Sequence, residues 1–418
     1  MKKQTSVWSW LPSLYFAEGI PYVIVMNLSV IMYKRLGLSN TDIAFYTGWL
    51  YLPWVIKPLW SPFVDLLKTK RWWIVSMQLL IGSGLAGVAF TLPAPFYLQV
   101  SLVLFWLMAF GSATHDIAAD GFYMLALDER EQSFFVGIRN TFYRLATIFG
   151  QGALVVAAGY LERTTGNIPY AWSLTLLVAA GLFVAFSVYH RFVLPTVSDD
   201  RRDLRKSYSD TWQEFGRVVV AFFDKKNIGI AIVFMLIYRL SEAMLVKLAS
   251  PFMLDARSKG GLGLSTEAVG VVYGTVGIIA LIVGGILGGI AISRWGLRRC
   301  LMPMALALTL PNLVYVYMAL WQPTSLVLIN GAVAAEQFGY GFGFTAYMMY
   351  LIRFSEGEYK TSHYAICSGF MALGMMLPGM AAGWIQTTLG SYLSFFIFVV
   401  VCILPTIAIV PLVRSKMD

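Results

Sequence analysis

Apolar residues run along the chain in blocks of about twenty, separated by short polar stretches. Twelve blocks can be drawn, at 8–32, 42–64, 72–92, 97–124, 133–160 and 169–192, then at 227–252, 266–292, 300–320, 324–350, 361–385 and 391–413. Each is long enough to cross about 30 Å of hydrocarbon as a helix. Lipid offers no partner to backbone N–H and C=O groups, so such blocks must bond internally, as helices. The alternating pattern of a membrane barrel is absent. Residues 193–226 form the only long polar stretch, a linker with an amphipathic helix expected around Trp212–Phe223. The pattern predicts an all-α integral membrane protein of twelve transmembrane helices. Residues 1–192 and 227–418 would form two six-helix bundles, joined by the linker at 193–226.

Composition agrees. Of 418 residues, 58% are hydrophobic and 13% charged, against about 25% charged in soluble proteins. The apolar run after Met1-Lys2-Lys3 is too long for a signal peptide and lacks a cleavage site, so it reads as a retained first span. The net charge of +9 needs no nucleic acid. With the N-terminus inside, twenty-two of the 31 Lys and Arg residues fall on the cytoplasmic side and five outside. That asymmetry places both termini in the cytoplasm. Cys300, Cys367 and Cys402 show no disulfide or metal spacing. His115, His190 and His363 are too scattered for a metal site.

A carboxylate or ammonium at mid-bilayer costs about 2.5–3.5 kcal/mol on insertion scales, so such residues mark function. Here they are Glu18, Lys57, Asp116, Asp120, Arg144, Arg239, Glu242, Lys247 and Glu336. The third, sixth, ninth and twelfth spans carry none. Helical spacing places Tyr15, Glu18 and Tyr22 on one face, beside the ladder-weakening Gly19 and Pro21. Ser112, Asp116, Asp120 and Tyr123 form a second stripe. Glu336, Tyr340, Gly343 and Tyr347 form a third. Arg239 and Glu242 stand three apart, close enough to pair. The turn near Glu129 puts Asp116 and Arg144 at similar depth, where an ion pair is expected. Protonation of Asp116 or Asp120 would release Arg144 to an anion, with Asp120 also placed to serve gating.

No Walker motif, catalytic triad or cofactor motif occurs, so neither ATP, an enzymatic role nor any cofactor is expected. Gly284, Gly285, Gly288 and Gly289 read as helix-packing positions. An echo links Ala157–Gly166 to Ala381–Gly390, 224 residues on, which suits two parallel repeats.

Several motifs resemble a known family. Ser61-Pro62-Phe63-Val64-Asp65 with Lys68, Lys70 and Arg71 resembles the loop between spans two and three of the major facilitator superfamily, with Ser61 at the usual glycine. In the second-half copy Ser293 stands where the acid would be. Tyr51–Pro62, Gly111–Gly121, Tyr143-Arg144-Leu145 and Tyr238–Ala243 are similar to the AmpG-type muropeptide permeases. The resemblance covers most of both halves. It implies a major facilitator fold, with spans one, four, seven and ten lining a cavity. It also implies proton-driven import of anhydro-muropeptides across the bacterial inner membrane by a monomer.

On that reading Asp65, Lys70 and Arg71 form a gate, and Asp116 and Asp120 carry the proton. Lys57, Arg144 and Arg239 suit substrate carboxylates, Arg offering bidentate bonds. Tyr15, Tyr22 and Tyr340 suit sugar faces, and Glu18, Glu242 and Glu336 complete the binding set. The expected partners are an anionic glycopeptide or sugar, protons and membrane lipid. A related carrier of a sugar, small peptide or acyl-coenzyme A is the alternative. A membrane enzyme or sensor would need a nucleophile–base set or an output domain, and neither is visible.

Overall fold

A computed structural model describes residues 6–197 and 208–416. Those residues form helices and connecting turns, with no strand among them. The helices are α1 (Val7–Arg35), α2 (Asn40–Trp49), α3 (Leu52–Leu67), α4 (Lys70–Thr91), α5 (Tyr97–Ala126), α6 (Arg130–Thr165) and α7 (Ile168–Val193). After the linker come α8 (Tyr208–Phe223), α9 (Ile228–Leu254), α10 (Thr266–Trp295), α11 (Leu297–Trp321), α12 (Leu326–Phe354), α13 (Lys360–Leu389) and α14 (Tyr392–Ser415).

Among the described residues, ten helices are long and apolar enough to cross a membrane, against twelve expected blocks. The blocks at 42–64 and 324–350 fall short for different reasons. The first is split into α2 and α3 at Leu50–Tyr51, just before Pro53, which has no N–H to continue a ladder. The second is the continuous 29-residue α12, diluted by glycines and by Glu336 and Gln337.

Two compact units emerge. One holds the described residues up to Ser29 and from Ile56 to Thr211; the other holds Val30–Val55 and the chain from Trp212 onward. The chain thus passes between units twice inside what the sequence draws as its first two spans.

In the first unit, α4 packs against α5 and α7. Hydroxyls on α7 reach α4 carbonyls, Ser173 donating to Ala89 O at 2.7 Å and Ser187 to Val75 O at 2.9 Å. α1 lies on α6 so closely that a Cβ on Gly19 would sit 2.8 Å from that of Ala146. Both helices loosen there into a π turn, Ile24–Leu28 in α1 and Ile148–Ala153 in α6. Asn27 Nδ2 donates to Gln151 Oε1 at 3.1 Å across the paired turns. Pro21, which cannot donate to the carbonyl one turn back, precedes the first of them.

In the second unit, α12 is wedged between α10 and α11 through small residues. A Cβ on Gly341 would lie 2.0 Å from Leu281 O, one on Gly284 2.1 Å from Phe338 O, and one on Gly343 2.3 Å from Met304 O. Such stripes let helices approach where lipid supplies no hydrophobic drive. α9 is broken at Tyr238–Arg239, between Ile228–Ile237 and Leu240–Leu254. The carbonyls exposed near the break are met locally: Thr406 donates to Ile237 O at 3.2 Å and Tyr347 to Met235 O at 2.6 Å. The linker helix α8 docks here too. Phe222 is fully buried, stacked on Phe370 at 6.2 Å, and Val218 O accepts from His363 Nε2 at 3.2 Å.

α2 packs on α13, with Gly383 against Asn40 O. Around it lies a polar knot. Lys34 Nζ meets Asp255 Oδ2 at 2.7 Å and Asn40 Oδ1 at 2.8 Å. Tyr392 donates to the same Asp255 oxygen at 2.6 Å, and Asn40 Nδ2 donates to Tyr392 and to Gln386 Oε1.

Gly341→Val should lower the thermal unfolding midpoint in detergent, because overpacking of this kind costs about 1–3 kcal/mol. Gly289→Val, with nothing within 4 Å of its new Cβ, should leave the midpoint unchanged. Equal shifts for both would remove the α10–α12 packing argument.

Candidate functional site

The first unit gathers five charged side chains from four helices. Tyr15 and Glu18 come from the face of α1 that meets α5. Asp116 and Asp120, one turn apart, come from α5, Lys57 from α3, and Arg139 from α6. Arg139 Nη2 contacts Asp120 Oδ1 at 2.9 Å, and Tyr15 donates to the same oxygen at 3.2 Å. The Arg139 guanidinium lies over the rings of Tyr15 at 4.5 Å and Tyr123 at 5.2 Å from their centroids. This geometry uses the flat face of Arg as well as its charge. Lys57 Nζ stands 3.6 Å from Asp116 Oδ2. Glu18 is buried and feels Asp120, Asp116, Arg139 and Lys57. Its Oε2 has no hydrogen-bond partner among the described residues. The set holds three carboxylates and two cations, so it is one positive charge short of balance.

Within the first unit a buried polar chain ties four helices together. Ser13 Oγ lies 3.0 Å from His190 Nε2, His190 Nδ1 lies 2.9 Å from Gln78 Oε1, and Gln78 Nε2 lies 3.0 Å from His115 Nε2. His115 and His190 look scattered in the sequence. Gln78 joins them.

The second unit presents another group at the break in α9. Arg239, 8% exposed, bonds to the Tyr340 hydroxyl and lies over the rings of Tyr340 and Phe344 at 5.2 and 4.7 Å. Glu242 and Glu336 are both fully buried. Gln337 Nε2 reaches both Glu336 oxygens, at 3.2 and 3.0 Å. Lys247, also buried, donates to Thr47 Oγ1 at 2.9 Å and lies 5.4 Å from the Tyr51 ring centroid.

Several expectations change. The ion pair described for Asp116 is with Lys57, not Arg144, and Arg144 carries an exposed side chain. Arg139 takes the inward position instead. Residues 139 and 144 are five apart, about 140° around a helix, so they cannot both face the cluster. Arg139 and Asp120 lie nearly equidistant from the turn near Glu129, so the depth argument applies with the register moved. Counting Arg139 as a loop residue hid it. Arg239 does not pair with Glu242 among the described ion pairs, because the break in α9 ends the regular three-residue spacing. Tyr22 is half-buried on α1.

Of the gate residues, Lys70 is buried with its stem against Gly121. Arg71 bonds to Arg191 O and, at 3.1 Å, to Thr196 Oγ1. The side chain of Asp65 lies outside those described.

This helical fold, with charged groups gathered inside its bundles, is that of a membrane carrier. The family profile of the Major Facilitator Superfamily matches residues 13–356, and the chain belongs to that superfamily. It is a multi-pass secondary transporter of a small-molecule substrate, not an enzyme. Its sequence is similar to a putative transporter, AmpG 4, of Rickettsia conorii, with 28% identity covering 97% of this chain and 96% of that protein. It is also similar to the anhydromuropeptide permease of Escherichia coli K12, with 25% identity covering 97% of this chain and 79% of that protein. Among solved structures, the nucleoside transporter NupG superposes with a TM-score of 0.71 at 13% identity, covering 98% of this chain and 99% of that one. A POT family transporter with a bound thioalcohol-conjugated peptide gives 0.74 at 12%, covering 98% of this chain and 96% of that one. At those identities the structural likeness speaks for the fold alone.

Arg139→Gln should lower the unfolding midpoint, since it strands Asp120 and uncovers Tyr15. Adding Asp120→Asn should cost little more, giving a coupling of about 0.5–3 kcal/mol in the double-mutant cycle. Losses that simply add would dissolve the pair.

Proposed function

We propose that the protein imports anhydro-muropeptides, coupled to inward proton flow, by alternating access. The observation that carries this reading is the unbalanced Glu18–Lys57–Asp116–Asp120–Arg139 cluster. It sits in a chain similar over nearly its whole length to an anhydromuropeptide permease. One proton on Asp116 or Asp120 brings three carboxylates and two cations to neutrality. Closely set carboxylates also resist ionising together. Proton binding then changes which cation is engaged, and an ion that binds two states differently can drive the change between them.

Substrate recognition falls to groups that suit a sugar–peptide with free carboxylates. Arg239 offers a guanidinium beside the Tyr340 and Phe344 rings, and Arg144 an exposed one. Tyr15 and Tyr22 complete the aromatic set. Lys70 and Arg71, with Asp65, serve as a gate on the cytoplasmic side. The Lys34–Asp255–Asn40–Tyr392 knot serves as a latch on the outer side. The excess of Lys and Arg on one side of the blocks supports cytoplasmic termini, twelve crossings and residence in the bacterial inner membrane. The protein acts as a monomer, its two six-helix halves at 1–192 and 227–418 joined by the linker at 193–226.

In proteoliposomes, a labelled anhydro-muropeptide should accumulate under an imposed inward proton gradient and leak out when an uncoupler is added. No uptake by folded protein would move the assignment to another solute. Asp116→Asn should abolish uphill accumulation while leaving exchange, and normal accumulation would take Asp116 out of the coupling role. Arg239→Ala should weaken carboxylate-bearing ligands by roughly ten- to a hundredfold, the value of a charge-assisted hydrogen bond. Neutral analogues should be weakened less, and equal losses would rule out charge recognition there.

A further inference from the structure

The second unit contains a pair of acids that the first-unit cluster does not explain. Glu242 lies in the first turn after the break in α9, and Glu336 lies on α12. Both are fully buried. Neither oxygen of Glu242 has a hydrogen-bond partner among the described residues. Glu336 has the Gln337 amide and no cation among the described ion pairs. The two carboxyls lie within each other's electrostatic reach.

The groups facing them can be named helix by helix. From α9 there is Arg239, whose guanidinium is committed to the Tyr340 hydroxyl and to two rings. From α10 there is Tyr273, and from α11 there is Tyr315. From α12 there are Tyr340 and Gln337. Lys247, further along α9, is engaged by Thr47 and Tyr51. No ion pair to either acid occurs among those described.

A buried carboxylate needs a cation or several hydrogen-bond donors in place of water. Here Glu336 has one amide, with the Tyr315 hydroxyl beside it, and Glu242 has neither. The helix start at Leu240 gives Glu242 a favourable dipole, but a dipole end is a weaker compensation than an ion pair. Two such neighbours resist carrying a charge at the same time. A proton on one of them removes a charge and creates an O–H donor, and each orphaned Glu242 oxygen can either hold that proton or accept from it. A metal cation would need several more oxygens than this set provides.

We propose that Glu242 and Glu336 form a second proton-binding site, in the second unit, that shares one proton and releases it during transport. The site takes its place beside the break in α9, where Arg239 also sits. A substrate anion drawing Arg239 away from Tyr340 would alter the field at Glu242 first. Substrate binding and proton affinity are thereby linked on one broken helix. The assignment of this proton to transport rests on the proton-coupled reading above. Its presence does not.

The test has two arms. Infrared difference spectroscopy of the purified protein at neutral pH, in H2O and D2O, reads protonated carboxyls directly. A protonated-carboxyl band should be present, a component of it should be lost in Glu242→Gln and in Glu336→Gln, and that component should persist in Asp116→Asn. Glutamine mimics the neutral acid in size, so these variants keep the packing. If one fails to fold, the other carries the test. Band intensity left unchanged by both substitutions, or no band at all, overturns the site. The second arm measures how the logarithm of substrate accumulation in proteoliposomes depends on the pH difference. The slope should fall from about two in the wild type to about one in Glu336→Gln, one decade per coupled proton. An unchanged slope with the band lost would make the proton static and overturn its release. Sodium-dependent accumulation would overturn the choice of ion. Absence of all uptake, with the band intact, would sink the functional reading and leave the proton site standing.

Discussion

Charge inside hydrocarbon has to be met by the protein itself, and the internal design of this chain follows from that requirement. Lipid supplies neither counter-ions nor hydrogen bonds, so the cations inside the bundles draw partners from other helices. Arg139 takes its partners from α1 and α5, Lys57 from α5, and Arg239 from α12. These contacts fix which faces of the helices meet, and the apolar and glycine-lined faces then pack as they can. The charged groups are therefore part of the architecture as well as of the chemistry. A substitution among them must be judged by what it strands, not only by what it removes.

The same requirement governs the backbone. A transmembrane helix can depart from regular bonding only where the released groups find other partners. The paired π turns of α1 and α6 and the break in α9 have such an arrangement. The π turns of α1 and α6 lie against each other and are bridged by Asn27 and Gln151. The break in α9 has Thr406 and Tyr347 on its carbonyls. The chain also passes between its two compact units next to such places: after the π turn that ends at Leu28, and a few residues past the Leu50–Tyr51 break. Irregular backbone is where a helix can change direction at small cost, and in α9 that place also holds Arg239.

Much of this was legible in the sequence, because hydrophobic block length and intramembrane charge are properties of single residues and their spacing. The helical class, the amphipathic linker helix and the five first-unit residues Tyr15, Glu18, Lys57, Asp116 and Asp120 follow from that alone. What spacing could not supply was register between helices. Asp116 and Arg144 satisfy a depth argument, yet Arg139 occupies the facing position because it lies on the inward side of α6. The pairing of Arg239 with Glu242 assumed a continuous helix, and the φ of −109° at Arg239 ends that continuity. Gln78 shows a different limit. A single buried amide carries no pattern, and only the fold shows that it joins two histidines 75 positions apart.

The two charged groups differ in a way that bears on how a proton and a substrate are linked. In the first-unit cluster each cation has a carboxylate within 4 Å. Adding a proton there releases a cation, a change in pairing. In the second unit Arg239 and Lys247 are held by hydroxyls and rings while the acids stand apart from them. Adding a proton there changes no ion pair among those described and instead removes a charge held without one. The first arrangement suits a switch between partners, and the second suits storage of a proton whose release needs a new cation or water to reach Glu242. Arg239 is the cation that acts on Glu242 and can respond to an arriving anion. The broken turn that holds it is therefore where substrate and proton are most directly connected.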